Sequence, residues 1–331
     1  MATLNTFMPT LADLATRLDP DNSVAQVIEL LNQTNPILED MTWIEGNLPT
    51  GHKTTIRSGL PTGTWRKLNY GVQPEKSTTV QVTDTTGMLE SYAEVDVDLV
   101  KLNGNEAAFR LSEDRAFIEG MNQTMATTLF YGDASLDPEK FTGLSARFSQ
   151  KSGVENGENI LLGGGSGSDN TSIYLVVWGP NTIHGIYPKG STAGLQVKDL
   201  GEDTVYDANG GRFQAYRTHY KWDCGLTLRD WRYVVRIANI DVSDLTKNAS
   251  AGADLIDLLS QAVEIPPNLS MGRAVFYANR TITSFLRRQI ANKVAGSTLT
   301  MDQVAGKQVL TFDGIPFKRT DALLNTEATI S

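Results

Sequence analysis

Residues 103–133 read NGNEAAFRLSEDRAFIEGMNQTMATTLFYGD, and this stretch predicts one long amphipathic helix. Apolar side chains recur three, four or seven residues apart, which is the spacing of a single helix face. They are Leu111, Ile118, Met121, Met125 and Leu129, with Phe117 and Phe130 widening the stripe. A helix from Asn105 to about Tyr131 would be roughly 40 Å long, more than twice the globular mean. We therefore expect this helix to act as a spine against which other elements pack.

The two ends of the predicted helix carry residue types that favour termination. Asn103 or Asn105 is a suitable N-cap, and Gly132 is a residue type that often follows the last helical turn. On the polar face, Arg110 and Asp114 lie four residues apart and are expected to pair across one turn.

The composition is that of a globular protein without an overall affinity for nucleic acid. The 331 residues suffice for one large or two ordinary domains, and 38 acidic against 29 basic residues give a net charge of -9. This charge disfavours tight non-specific binding of nucleic acid by the surface as a whole, although it leaves local basic patches open. The single cysteine, Cys224, rules out an internal disulfide, and no apolar run is long enough to span a bilayer.

The first 50 residues carry two short helical patterns, one closed by Pro20 and the other by Pro36. Neither pattern is long enough to form a stable isolated helix in water. Each must pack on a surface, and that surface belongs either to its own domain or to another copy of the chain.

The region from Gly46 to Leu102 reads as extended chain with little core of its own. The segments Ser77–Val82 and Glu90–Val100 alternate polar and apolar residues, as β-strands do. Because an isolated hairpin is only marginally stable, we expect this one to need a partner surface.

Charged side chains in and after this region are candidates for contacts between subunits. Arg57, Arg66 and Lys67 lie where charged and hydroxyl residues outnumber large apolar ones. Asp96 and Asp98 would share one face of a strand, where they repel each other unless a cation lies opposite. This arrangement favours a salt-bridged contact over an acid/base dyad.

A second group of candidates is the cluster of Arg229, Arg232 and Arg236. On a strand, Arg232 and Arg236 would share one face while Arg229 points to the other. Two arginines are thus placed to converge on carboxylates across a subunit or domain contact. The alternatives are a solvated strand face and an anion site.

The remainder of the chain reads as mixed strands and helices. The expected elements are a strand at Ile173–Trp178, a hairpin of Arg212–Trp222 with Leu226–Ile240, helices at Ala253–Ala262 and Arg280–Val294, and a final hairpin across Asp313-Gly314.

The sequence predicts no catalytic, cofactor or metal site. His52, His184 and His219 are far apart in the chain, and none has a second ligand at a metal-binding spacing. The glycine-serine tract at 163–168 precedes a strand, whereas phosphate-binding loops follow a strand and open a helix. A carbohydrate- or nucleotide-acting enzyme that uses this tract and Asp169 remains as an alternative.

A series of sequence blocks covers nearly the whole chain. The earlier blocks are Asn35-Pro-Ile-Leu-Glu-Asp-Met, Asn69-Tyr-Gly-Val, Val95-Asp-Val-Asp, Phe130-Tyr-Gly-Asp and Phe141-Thr-Gly-Leu. The later blocks include Val177-Trp-Gly-Pro, Gly185-Ile-Tyr-Pro-Lys-Gly and Asp313-Gly-Ile-Pro-Phe-Lys-Arg-Thr-Asp. Together they resemble the major capsid proteins of tailed bacteriophages, in particular the short-tailed-phage branch of the epsilon15 and Bordetella phage shell proteins.

The resemblance implies an α+β, HK97-like fold. It places an N-terminal arm at residues 1–45, an extended loop made by a β-hairpin at 46–102, and the spine helix of a peripheral domain at 103–133. Residues 134–331 would form an axial domain and the rest of the peripheral domain, in an order that is permuted in some members of this branch.

The resemblance also implies a function in assembly, with no enzymatic activity. Copies would form pentamers and hexamers that close into an icosahedral shell around double-stranded DNA, which the shell would contact weakly and non-specifically. The implied partners are a portal, a scaffolding protein and optionally a cement protein, with no membrane. The implied location is the virion, and the host cytoplasm during assembly. A tail or decoration protein of the virion is the alternative.

Overall fold

The protein is described from a computed structural model that covers residues 8–9, 33–103, 106–207, 209–246, 252–291, 299–304 and 307–331. The helical patterns expected before residue 33 and the candidate cap Asn105 lie outside these residues.

Helices and strands alternate along the described chain. The helices are α1 (Ile37–Asp40), α2 (Val97–Asn103), α3 (Glu106–Tyr131), α4 (Leu144–Arg147), α5 (Leu255–Glu264) and α6 (Arg280–Ala291). The earlier strands are β1 (Trp43–Glu45), β2 (Gly51–Gly59), β3 (Thr78–Asp96), β4 (Ile160–Leu162), β5 (Asn170–Trp178), β6 (Ile183–Tyr187) and β7 (Gln196–Tyr206). The later strands are β8 (Arg212–Leu228), β9 (Val234–Asp241), β10 (Arg273–Ala278), β11 (Leu299–Val304), β12 (Lys307–Phe312) and β13 (Ile315–Arg319).

The strands in the described ranges are joined by one hydrogen-bonded path in the order β11-β12-β13-β10-β5-β6-β8-β3-β2. Strand β1 pairs with β6, β7 pairs with β8, and β9 lies between β4 and β5. The pairing is mixed, since β1 runs parallel to β6 while β3 runs antiparallel to β8. Mixed sheet with separate helices is the architecture of the predicted α+β class.

Strand β5 is buried along its whole length and divides the core into two clusters. Tyr174 and Val176 belong to one cluster, which also contains Leu129 of α3. Ile173 and Leu175 belong to the other, which contains residues of α5 and α6. Because successive strand residues point to opposite faces, one strand supplies both clusters, and helices cover the sheet on both sides.

The predicted long helix is confirmed as α3 (Glu106–Tyr131), and most of its buried side chains lie in the C-terminal half, although Phe109 in the first half is buried in a small separate cluster. Met125 and Leu129 of the predicted stripe are in the core, whereas Leu111 and Ile118 are exposed. The first half of α3 thus extends past the main core and presents apolar side chains to solvent.

The chain leaves α3 at Gly132, as the sequence predicts, although for a different reason. A Cβ at Gly132 would lie 2.4 Å from the Phe141 carbonyl oxygen and 2.6 Å from that of Thr128. Gly132 is therefore needed for a close backbone approach.

The predicted hairpin between Arg212–Trp222 and Leu226–Ile240 is wrong. Arg212–Leu228 is one continuous strand, β8, and its hairpin partner is β7, Gln196–Tyr206. The last residues of β8 pair with β6, and the chain then turns through a short 3-10 helix at Trp231–Tyr233 before entering β9. Strand β9 pairs with β5 and β4 instead.

The final hairpin is confirmed. Phe312 pairs with Ile315 across Asp313 and Gly314, whose φ angles are 50° and 74°. Two successive residues with positive φ form the tight turn that matches the twist of the flanking strands.

Residues 33–45 of the predicted arm pack on their own chain. Ile37 and Met41 are buried in the main core. The carboxylate of Asp40 accepts a hydrogen bond from Tyr277 at 2.8 Å and pairs with Arg273 at 2.9 Å and with Lys318. The surface on which the two preceding helical patterns pack stays a prediction.

Candidate functional site

Strands β2 and β3 form a hairpin that extends beyond the body of the sheet. Residues 86–96 of β3 pair with β8, whereas residues 78–85 pair only with β2. Eight residues of extended strand span about 27 Å. The sequence predicts two separate strands in this region, but β3 is uninterrupted and belongs to both the hairpin and the body.

The segment that connects β2 to β3 exposes large apolar side chains. Trp65 is 100% exposed, Leu68 85%, and Tyr70 69%. Apolar side chains grouped on a projecting segment are typical of a surface that another molecule covers. The sequence analysis did not name these apolar residues as contact candidates. Their occurrence in a stretch without a core of its own would have indicated them.

Three of the predicted subunit contacts lie on this hairpin. Arg57 is exposed on β2, and Arg66 and Lys67 are exposed in the connecting segment. The hairpin thus combines cationic and apolar groups on one projection, and their contact with another subunit stays a prediction.

The base of the hairpin is a buried polar cluster. His52 of β2 lies opposite Asp84 of β3, and His184 of β6 lies beside them with its ring centroid 5.8 Å from that of His52. The Arg147 Nη2 donates to the Asp84 carboxylate at 2.7 Å, and the Arg229 Nη2 donates to Nε2 of His52 at 3.1 Å. Residues from five separate segments therefore fix the point where the hairpin leaves the body.

The electrostatics of this cluster favour neutral histidines. Burial, with smaller contributions from the neighbouring Arg229 and His52, lowers the pKa of His184 to about 4. Burial and Arg229 also lower the pKa of His52, while Asp84 opposes them. Nε2 of His52 accepts a hydrogen bond from the Arg229 guanidinium, so this nitrogen carries no proton itself. His52 and His184 are distant in the chain, and sheet pairing alone brings their rings together.

Asp96 and Asp98 do not share a strand face. Asp96 ends β3, and its side chain accepts a hydrogen bond from the backbone N–H of Asp98, at 2.8 Å, in the first turn of α2. The exposed Asp98 carboxylate lies 3.6 Å from Lys101. The prediction of paired carboxylates on a strand is wrong, because Asp96 acts as a helix cap.

The three clustered arginines do not converge. Arg229 donates to His52, and Arg232, in the 3-10 turn, pairs with Asp230 at 2.7 Å. Arg236 is 3% exposed and pairs with Glu327 at 2.8 Å inside the chain. The subunit contact predicted for Arg236 is therefore wrong, since a side chain buried within its own chain is not available to a neighbour.

Arg236 and Glu327 instead form a buried ion pair that links three parts of the fold. Glu327 lies in the C-terminal segment and accepts hydrogen bonds from Tyr131, at the end of α3, and from Ser172 of β5. The Arg236 Nη1 donates to the Phe148 carbonyl at 2.8 Å. A buried ion pair with this many hydrogen bonds is structural and holds the C-terminal segment in place.

The glycine-serine tract connects β4 to β5, and no helix follows it. The Asp169 carboxylate at its end accepts from the Ser243 backbone N–H at 3.0 Å. Cys224 is buried with its Sγ 2.9 Å from the Met125 Sδ, and burial raises the pKa of its thiol. Within the described ranges, no three histidine, cysteine or acidic side chains are grouped to hold a metal.

None of the helices in the described part of the chain is long and apolar enough to cross a bilayer.

Comparison with known proteins identifies the family. The family described as major capsid protein GP7 matches residues 19–331. The structure of bacteriophage epsilon15 obtained by cryo-EM has a chain 39% identical, with a TM-score of 0.76, over 100% of this chain and 99% of that one. The capsid of bacteriophage JBD30 is 10% identical over 89% of this chain and 93% of that one, with a TM-score of 0.51, and shows likeness of fold alone. A search of curated proteins gives no match.

The match to a family of major capsid proteins supports the capsid interpretation over the tail and decoration alternatives. The chain belongs to the GP7 family of phage major capsid proteins and has the HK97-like fold.

Proposed function

We propose that copies of this chain form pentamers and hexamers that close into an icosahedral shell around double-stranded DNA. In this arrangement the β2–β3 hairpin lies over a neighbouring copy. The observation that carries the proposal is the projecting hairpin, whose connecting segment leaves Trp65 fully exposed. Weak contacts of this kind, repeated over many copies, sum to a stable particle.

The regions follow the family arrangement in this proposal. Residues 1–45 are the N-terminal arm, 46–102 the extended loop, and 103–133 the spine helix of the peripheral domain. Residues 134–331 supply the axial domain and the remainder of the peripheral domain.

Exposed charges supply the polar contacts between copies in this proposal. Arg57, Arg66 and Lys67 act from the hairpin, and Asp98 and Arg232 act from the body. The side chain of Asp98 is 91% exposed and that of Arg232 is 55% exposed, which supports their availability to a neighbour. Such rim charges chiefly set register and partner choice.

The assembly pathway in this proposal takes place in the host cytoplasm, with a scaffolding protein, a portal and optionally a cement protein. The shell contacts the packaged DNA weakly and non-specifically. The chain uses no cofactor and catalyses no reaction.

Electron microscopy of the purified protein, alone and with a candidate scaffolding protein, tests the proposal. Closed shells of uniform diameter are expected from the intact chain, and deletion of Thr54–Pro74 should abolish them. A clean monomer or dimer under every condition would contradict the proposal.

A single substitution distinguishes loss of the hairpin contact between copies from a general destabilisation of the protein. Trp65→Ala should raise the protein concentration needed for shells about tenfold or more, since buried tryptophans dominate interface energies. The matched control is Leu136→Ala, which removes a side chain 79% exposed outside the hairpin. Equal effects of the two variants would rule out the hairpin as the contact.

A further inference from the structure

An open pocket of about 370 Å³ lies between α6 and the end of β13. It is lined by arginines and hydroxyl residues, namely Arg280, Thr283, Ser284, Arg287, Arg288 and Arg319. These residues contribute no carboxylate to the lining. We call the four arginines the α6 patch.

Two of the four guanidinium groups share one carboxylate. Asp321 accepts from Nε of Arg319 at 3.1 Å and from its Nη2 at 3.0 Å. The same carboxylate lies 3.6 Å from Arg280, whose side chain is 72% exposed. The single negative charge of Asp321 therefore neutralises only one of these two positive charges.

The other two arginines are exposed and carry no ion pair within the described part of the chain. The guanidinium of Arg288 lies 3.9 Å from the centroid of the Phe285 ring and donates to the Ser284 carbonyl at 3.4 Å. Arg287 is on the adjacent position of the same helix. Four guanidiniums and one carboxylate leave three uncompensated positive charges, in a chain whose net charge is -9.

The chemistry of the α6 patch fits phosphate groups. A guanidinium donates two parallel hydrogen bonds to phosphate oxygens, and it is less strongly hydrated than an ammonium. Arg280 and Arg287 are about 10 Å apart along the helix axis. Duplex DNA presents one charge about every 1.7 Å, so a patch of this length faces several phosphates.

The composition of the patch favours nucleic acid over an acidic protein segment. Protein interfaces are anchored by aromatic and aliphatic side chains in their centre. The one ring here, Phe285, is covered by Arg288. Nucleic-acid interfaces, by contrast, are polar and strongly positive.

We propose that the α6 patch binds the phosphate backbone of double-stranded DNA and faces the interior of the shell. The shell orientation rests on the proposed function, whereas the binding is a property of the chain. The net negative charge of the chain opposes DNA binding, so the contact at this patch stays weak for each copy.

Fluorescence anisotropy of the full chain with a short labelled DNA duplex tests this proposal. Three phosphate contacts predict that the affinity falls about 40-fold between 50 and 200 mM salt. Arg287→Gln combined with Arg288→Gln leaves one contact and should reduce that fall to about 4-fold. The lysine versions of both changes keep the charge and should retain the steep dependence.

A matched control removes two exposed arginines elsewhere. Arg115 is exposed on α3, and the exposed Arg212 lies over the Tyr206 ring much as Arg288 lies over Phe285. Arg115→Gln with Arg212→Gln should leave the salt dependence as steep as in the unchanged protein. An equal loss in both double variants, or no binding by the unchanged chain, would overturn the proposal.

Two further readouts separate the remaining explanations. A labelled polyglutamate peptide that binds the α6 patch more tightly than the duplex would overturn the DNA assignment in favour of an acidic protein segment. Electron microscopy of the glutamine variant reports shell formation independently, and shells are expected to form. Intact shells without DNA binding at the α6 patch would refute this inference alone. Absence of shells from the unchanged chain, both alone and with a scaffolding protein, would refute the proposed function.

Discussion

Replacing His184 with glutamine should remove a large part of the acid sensitivity of this chain. His184 is fully buried at the base of the β2–β3 hairpin, and burial lowers its pKa to about 4 from the ordinary 6.5. Between these two values the unfolded chain binds a proton that the native chain does not bind. The stability that results from keeping His184 neutral is therefore fully present above about pH 6.5, and it is lost as the pH falls towards 4. Each pKa unit corresponds to about 1.4 kcal/mol, so the loss reaches roughly 2.5 kcal/mol at pH 4.5.

Guanidinium unfolding of the unassembled chain at about pH 7.5 and pH 4.5 measures this effect. Carboxylates also titrate in this range, but they are common to both proteins and cancel in the comparison. The unchanged chain should lose about 2.5 kcal/mol more than His184→Gln between the two pH values. Any constant destabilisation by the substitution does not affect that difference. Parallel losses in the two proteins would refute the argument that burial keeps His184 neutral.

Two further changes test the packing of the body. Glu327→Gln leaves the Arg236 charge buried without its partner and should lower the free energy of unfolding by about 3–5 kcal/mol. The control, Asp137→Asn at the exposed pair with Lys140, should cost under about 1 kcal/mol. Similar losses of unfolding free energy in the two variants, measured by guanidinium unfolding, would contradict a stabilising role of the buried Arg236–Glu327 ion pair. Gly132→Ala forces a Cβ to within 2.4 Å of a carbonyl oxygen and should cost about 1–3 kcal/mol. Gly120→Ala, inside α3 and with no atom within 4 Å of the new Cβ, should stabilise by about 0.5–1 kcal/mol. A melting temperature that moves the same way in both variants would refute the close-approach argument.

The sequence predicts correctly those helices and turns whose conformation is determined by residues that are neighbours in the chain. The periodicity of residues 103–133 predicts α3, and Asp313-Gly314 predicts the final hairpin, because helix faces and tight turns are encoded by neighbouring residues. The continuity of β3 and the pairing of β8 with β7 depend on contacts between distant segments. Strand β7 is mostly polar and exposed, so it carries little apolar alternation to detect.

The candidate site divides in the same way. A region without a core of its own predicts that Arg57, Arg66 and Lys67 are surface residues, and the structure has them exposed. Nothing near His52 in the chain indicates that its ring meets His184, since sheet pairing alone unites them. Arginine is usually a surface residue, so the sequence around Arg236 does not indicate burial. Its buried partner is Glu327, which is distant in the chain.

The strand that the hairpin and the body share also has a mechanical consequence. Because β3 continues without interruption from Thr78 to Asp96, a pull on the hairpin along its axis is transmitted directly to the pairing with β8. Residues Thr86 to Asp96 form that ladder, whose hydrogen bonds run perpendicular to the strands. Tension along the strand therefore loads the ladder in shear, so that its bonds resist together, whereas a force across the strand would open them one at a time. A particle strained by its contents would be held together most firmly where neighbouring copies pull lengthwise on this strand.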